Sequence, residues 1–182
     1  MEARSVYQLQ LLLLALYFAA AALLWPTLPG RVPIHFDFAG RPTTWARTSI
    51  LSWFGLPLIT AAMTLFLYGM GRASNSAPEL WNIPEKKRFL ALSPATRAPI
   101  VAYLSRAMAW SAVMVSFTFI GVHVGVYQAA IGHGTGLPWH SHLLILAPMG
   151  VLLLVVLRIA RNAGEQIRQA SEREEREQGE RA

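Results

Sequence analysis

The 182 residues contain no cysteine. Disulfides, thiolate nucleophiles and cysteine-bound metals are therefore excluded, and the redox compartment is left open. Charge is also scarce: 14% of residues are Asp, Glu, Lys or Arg against 54% hydrophobic, with a mean hydropathy of +0.37, a balance too apolar for a typical soluble domain. Aspartate is almost missing, Asp37 being the single one. Four stretches, residues 9–25, 50–68, 107–130 and 143–157, hold no charged side chain at all. Without acidic or basic relay groups near a bilayer midplane, an ion-coupled transporter is not expected. No glycine-rich phosphate loop, Gly-x-Ser-x-Gly elbow or supported Ser/His/Asp set occurs either.

The four apolar stretches define the expected fold, an all-α integral membrane protein built as a four-helix transmembrane bundle. A helix rises about 1.5 Å per residue and the hydrocarbon core is about 30 Å thick, so the first and last stretches need flanking residues to span. The expected spans are about 9–27, 50–70, 107–130 and 140–159, within a membrane domain of residues 1–160. The first run also has features of a secretory signal, with Arg4 ahead of leucines and small residues at 19–22, but it is long for a signal core. Whether it is cleaved is open at this stage.

The formal net charge is +6 and the pI about 10.3. The basic residues flank the apolar runs, where they bias topology and meet anionic headgroups, so no nucleic-acid partner is expected. Thirteen of the sixteen Lys and Arg lie in the N-terminus, the second loop and the tail, and only Arg31, Arg41 and Arg47 lie in the first loop. The positive-inside rule then predicts a multi-pass inner-membrane protein with both termini cytoplasmic and the first and third loops outside. Residues 161–182 read as a charged cytoplasmic tail, a solvated and partly helical extension. Glu172 with Arg176 and Glu177 with Arg181 stand in the favourable acid-first i,i+4 order.

The first loop is dense in proline, glycine and aromatics, and it is expected to be structured and packed over the helix ends as a cap. Residues 32–38 alternate apolar and polar, predicting a short extended segment with His35 and Asp37 on one face and Ile34, Phe36 and Phe38 on the other. Gly40, Arg41 and Pro42 would turn the chain back. His35, Phe36, Asp37, Gly40, Arg41, Trp45 and the intramembrane His123 are the candidate ligand-binding residues. All five histidines fall in the outer half, so His35, Asp37, His140 and His142 form the candidate metal set, for which zinc with three or four N/O ligands is the natural ion. Their spacing matches no metal signature, and polar loop roles compete with it. His123 shares a helical face with Phe119 and Tyr127, and is read as a neutral histidine bonded to a neighbouring helix or to Tyr127. Gly121 and Gly125 form a small-xxx-small pair that permits close helix contact.

The run of Pro33, His35-Phe36, Asp37, Gly40, Pro42 and Trp45 directly after the first span resembles the bacterial family called domain of unknown function 1648, over about residues 10–65. Trp81-Asn82-Ile83-Pro84 with Lys86 and Phe89-Leu90 is similar to an Asn-Leu-Pro-x-Lys segment with a following aromatic-Leu pair in multispanning members, Phe89 standing where Trp is usual. The family's best-known relatives are SdpI-type immunity proteins, which protect against a secreted peptide toxin and signal its presence. The resemblance therefore implies an outer face that binds a secreted peptide or a membrane partner protein. The alternatives are a structural subunit of a membrane complex, a metal-assisted enzyme on the outer face, and, in any of these roles, a homo-oligomer.

Overall fold

In the computed structural model, residues 2–132 and 139–180 are described, with the side chains of residues 139 and 140 excepted. Helix α1 runs Ala3–Leu24 and ends in a tight turn at Trp25–Thr27. A hairpin follows, with β1 at Arg31–Phe36 and β2 at Pro42–Arg47. Then come α2 at Ile50–Ser76, a second tight turn at Pro78–Leu80, the short α3 at Lys86–Ala91, α4 at Pro94–Ala130 and α5 at Trp139–Gly179. Four helices are long and apolar enough to cross a membrane, as the four uncharged stretches predict. The chain is thus a multi-pass membrane protein. Its topology places the hairpin at one end of the bundle and both termini at the other.

Local sequence explains the helix starts. Ser49 and Ser52 form a reciprocal capping box, each side chain accepting from the other's backbone N–H, which opens α2 directly after β2. Ser93 caps α4 with Pro94 in the first turn, where the missing N–H costs nothing. Pro57, Pro99 and Pro148 lie inside helices, a placement that membrane-spanning helices tolerate.

Both long helices overrun the bilayer. α4 has 37 residues and α5 has 41, about 55 and 60 Å at the helical rise, against a hydrocarbon core of about 30 Å. The excess forms a second packed layer at the terminal end. Trp81, Phe89, Leu92, Ile100 and Leu104 bury against Ala163 and Ile167 of α5. The charged tail is accordingly not a free extension. α5 continues unbroken through it, and the Glu174 carboxylate accepts from the Ser93 backbone N–H and the Thr96 hydroxyl at the start of α4. The i,i+4 pattern described only its solvent face; Ala163 and Ile167, one helical turn apart, mark the buried one.

Gly121 lets α4 and α5 cross closely. A Cβ there would stand 2.7 Å from the Leu144 carbonyl oxygen and 2.9 Å from its carbon, so only glycine fits the crossing.

Candidate functional site

The hairpin is held by its own turn and by the bundle beneath it. The strands pair antiparallel, Arg31 with Arg47, Val32 with Ala46, Pro33 with Trp45, His35 with Thr44 and Phe36 with Pro42. Two register shifts interrupt the ladder, leaving Ile34 extra on β1 and Thr43 extra on β2. A bulge reverses which face the following residues present, and this corrects the simple alternation expected from sequence. Val32 and Pro33 are both buried, Ile34 and His35 are both exposed, and Phe36 turns back in. Phe36 packs against the buried cluster of Ala21, Trp53 and Val126 and so anchors the hairpin to the bundle. Phe38, expected on the same face, is fully exposed at the tip instead.

Asp37 and Arg41 close the tip. The Asp37 carboxylate accepts from the Arg41 backbone N–H at 2.8 Å and from its Nε at 2.9 Å. The Asp37 N–H donates to the Arg41 carbonyl, and the Gly40 N–H donates to the Asp37 carbonyl. Gly40 holds φ +75°, a left-handed conformation that a residue with a Cβ adopts at a cost. The Arg41 backbone N–H, followed by its guanidinium, holds the Asp37 carboxyl below the usual carboxylate range.

Beneath the hairpin, three helices meet in a polar and aromatic core. Trp53 of α2 is almost wholly buried and donates its indole N–H to the Ala21 carbonyl of α1 at 2.8 Å. The His123 ring of α4 meets Trp53 edge to face, centroids 4.0 Å apart. The Tyr17 hydroxyl lies 2.9 Å from His123 Nδ1 and 3.3 Å from the Phe119 carbonyl. It has one proton for these two contacts, so the imidazole tautomer sets which partner donates in the shorter one. Nε2 is buried and has no hydrogen-bond partner among the described residues. Of the two partners expected for His123, it is the neighbouring helix that supplies one, while Tyr127 shares a hydrogen bond with Thr27. Deeper in the bundle, Gln10 of α1 donates to Thr64 of α2 at 2.8 Å and to Ser116 of α4 at 2.5 Å.

Of the candidate ligand residues, the structure packs Phe36 against the cluster that contains Trp53, sets His123 against the Trp53 ring, and locks Asp37, Gly40 and Arg41 into one turn. Trp45 is partly exposed opposite Pro33, and His35 is exposed beside it. For the metal set, both Asp37 oxygens are engaged by Arg41. The His140 side chain lies outside the described residues. Among the described residues no three His, Asp or Glu side chains gather as a metal would need. Sequence reading missed Tyr17, Trp53 and the Gln10, Thr64 and Ser116 triad. The available signal was Gln10, the only amide side chain within its apolar run.

A family model described as domain of unknown function 1648 matches residues 12–61, a stretch that takes in most of α1, the whole hairpin and the capped start of α2. No curated protein and no solved structure matches the chain.

Proposed function

We propose that this chain, whose residues 12–61 match the model of the domain of unknown function 1648, is a membrane-held receptor for an extended peptide, with the hairpin as its recognition element. The single observation that carries this reading is the pattern of exposure on a locked hairpin. The turn is tied by Asp37 and Arg41 and anchored by Phe36, yet Ile34, Phe38 and Trp45 are left in the open at 51%, 104% and 38% exposure. A loop serving only to join two helices has no reason to spend its rigidity on displaying three large apolar side chains. The sheet has two strands; β1 lies against α4 and α2, so the edge along which a peptide backbone can add as a further strand is that of β2, where these side chains would grip it.

In this reading both termini are cytoplasmic, as the distribution of Lys and Arg favours, and the hairpin faces outward from a bacterial inner membrane. Capture of a secreted peptide there serves immunity or signalling. A subunit role in a larger membrane complex has one observation in its favour: no residue in the most apolar stretch of α5 is buried, leaving a face for a partner helix or a second copy. Catalysis with a metal has none among the described residues.

The test places a photoreactive side chain at position 34 or 38 in native membranes. Adducts of peptide mass, lost on Trp45→Ala, are expected. Adducts with lipid alone would make the tip a bilayer anchor, and adducts with one integral protein would favour the subunit reading.

A further inference from the structure

At the terminal end, α1 and α2 diverge around a cavity of about 690 Å³, open on one side and lined by both helices with α4 as its floor. Its rim carries Arg4 and Arg72. Both are exposed, and neither guanidinium has a hydrogen bond or ion pair among the described residues. No acidic side chain lines the cavity. Two unpaired positive charges at one mouth repel each other, an arrangement that a bound anion relieves.

The lining changes with depth as a lipid molecule does. Next to the arginines lie Asn75, Ser105 and Tyr7; Ser105 donates to the Asn75 side-chain carbonyl and Tyr7 to the Leu67 carbonyl, which leaves the Asn75 amide N–H groups, among the described residues, as the free donors at the level of a phosphate and glycerol backbone. Seven residues into each helix, about 10 Å deeper, the walls are Leu11 and Leu65, with Thr64 beside them, its hydroxyl already bonded to Gln10 and to the Thr60 carbonyl. Both leucines are more than half exposed and continue onto the lipid-facing surfaces of α1 and α2. A free phosphate would use only the mouth and leave the apolar part of the cavity without a purpose.

We infer that the cavity between α1 and α2 binds an anionic glycerophospholipid of the leaflet nearer the termini, its phosphate between Arg4 and Arg72 and one acyl chain along Leu11 and Leu65. The inference is independent of what the hairpin recognises.

The experiment uses the full chain in mixed nanodiscs of phosphatidylglycerol and phosphatidylcholine, with retained lipid counted by mass spectrometry after mild delipidation. Wild type is expected to keep phosphatidylglycerol in preference, with the preference falling about five-fold for each guanidinium removed, the order a basic side chain contributes at a membrane surface. The Arg4→Gln/Arg72→Gln variant should therefore approach indifference, while Arg4→Lys/Arg72→Lys keeps much of the preference and shows that the fold is intact. Arg161→Gln/Arg168→Gln removes the same charge from exposed positions outside the cavity and should retain wild-type selectivity. Unchanged retention in the Gln pair, or equal loss in the α5 control, overturns the inference. Displacement of the lipid by soluble glycerol phosphate at matched concentration would also overturn it, by assigning the mouth to a free phosphate.

Discussion

At the residue scale, Gly40 and Asp37 carry the shape of the hairpin tip. Gly40→Val places a β-branched side chain at φ +75°, a strain of about 1–2 kcal/mol or more. The tip should lose order while the four helices still insert; hydrogen exchange over residues 31–47 in detergent would show this as faster exchange confined to the hairpin. His35 is exposed and takes no part in the turn, so His35→Ala should leave the exchange pattern unchanged.

Asp37 adds a pH dependence whose sign follows from its environment. Its folded carboxyl is held below the ordinary value, first by the Arg41 backbone N–H and then by the guanidinium. The ionised form is thus favoured in the folded hairpin. That contribution is complete above the unfolded carboxyl's pKa and is lost as pH falls through the lower folded value. Protection of the Gly40 and Arg41 amides should accordingly hold from neutral pH into the ordinary carboxylate range and collapse only below it. In Asp37→Asn the step should vanish, protection being low throughout; a step surviving in that variant would assign it to another group.

His123 and Tyr17 pose a different question, because both are inside the bundle and each is the other's partner. Tyr17→Phe removes the hydrogen-bond partner of Nδ1 and should destabilise, whereas Tyr17→Phe with His123→Leu should cost less than the sum of the single changes. A coupling of about 0.5–1.5 kcal/mol is expected for an interhelical polar pair in a membrane protein, read from unfolding in mixed micelles. Additive effects would mean that the 2.9 Å approach contributes nothing net.

At the element scale, α5 is secured at two places of different character. In the bilayer it crosses α4 at Gly121, where a Cβ would meet the Leu144 backbone at 2.7 Å. Gly121→Ala should push the helices apart at an overpacking cost of about 1–3 kcal/mol, lowering the melting temperature while secondary structure stays intact. At the terminal end the attachment is apolar burial plus the Glu174 carboxylate on the first turn of α4. Deleting residues 162–182 would uncover Phe89, Leu92, Ile100 and Leu104, and limited proteolysis should then cut the loop between α2 and α4 far faster than in the full chain.

At the scale of the whole molecule, the absence of cysteine makes the orientation directly measurable. Ala39 at the hairpin tip and Gln178 near the end of α5 are both exposed. Single Ala39→Cys and Gln178→Cys variants should react with an impermeant maleimide in opposite compartments, the first in intact spheroplasts and the second only after permeabilisation. Labelling of both from the same side would break the four-span topology on which the proposed outward orientation of the hairpin depends.

What the sequence determined by itself was the set of features that depend on runs and local chemistry. Four charge-free stretches specify four spans because lipid leaves the backbone no other way to satisfy its polar groups. The run from Pro33 to Trp45 specified a structured loop with its turn at Gly40, because turns are made by residues a few positions apart. Tertiary structure alone decided which side chains face inward. The bulge at Ile34 turns the apolar face of β1 partly outward, an outcome set by how the hairpin lands on Trp53 and not by its own alternation. His123 passes over a neighbour four residues along for Tyr17, 106 positions away, because the bundle places that hydroxyl against it. The tail's charges gave no hint of its burial, since a helix that is solvated on one face and packed on the other shows the packed face only as a few small or apolar residues, and their partners, Trp81, Phe89 and Ile100, become visible only when the chain has folded back on itself.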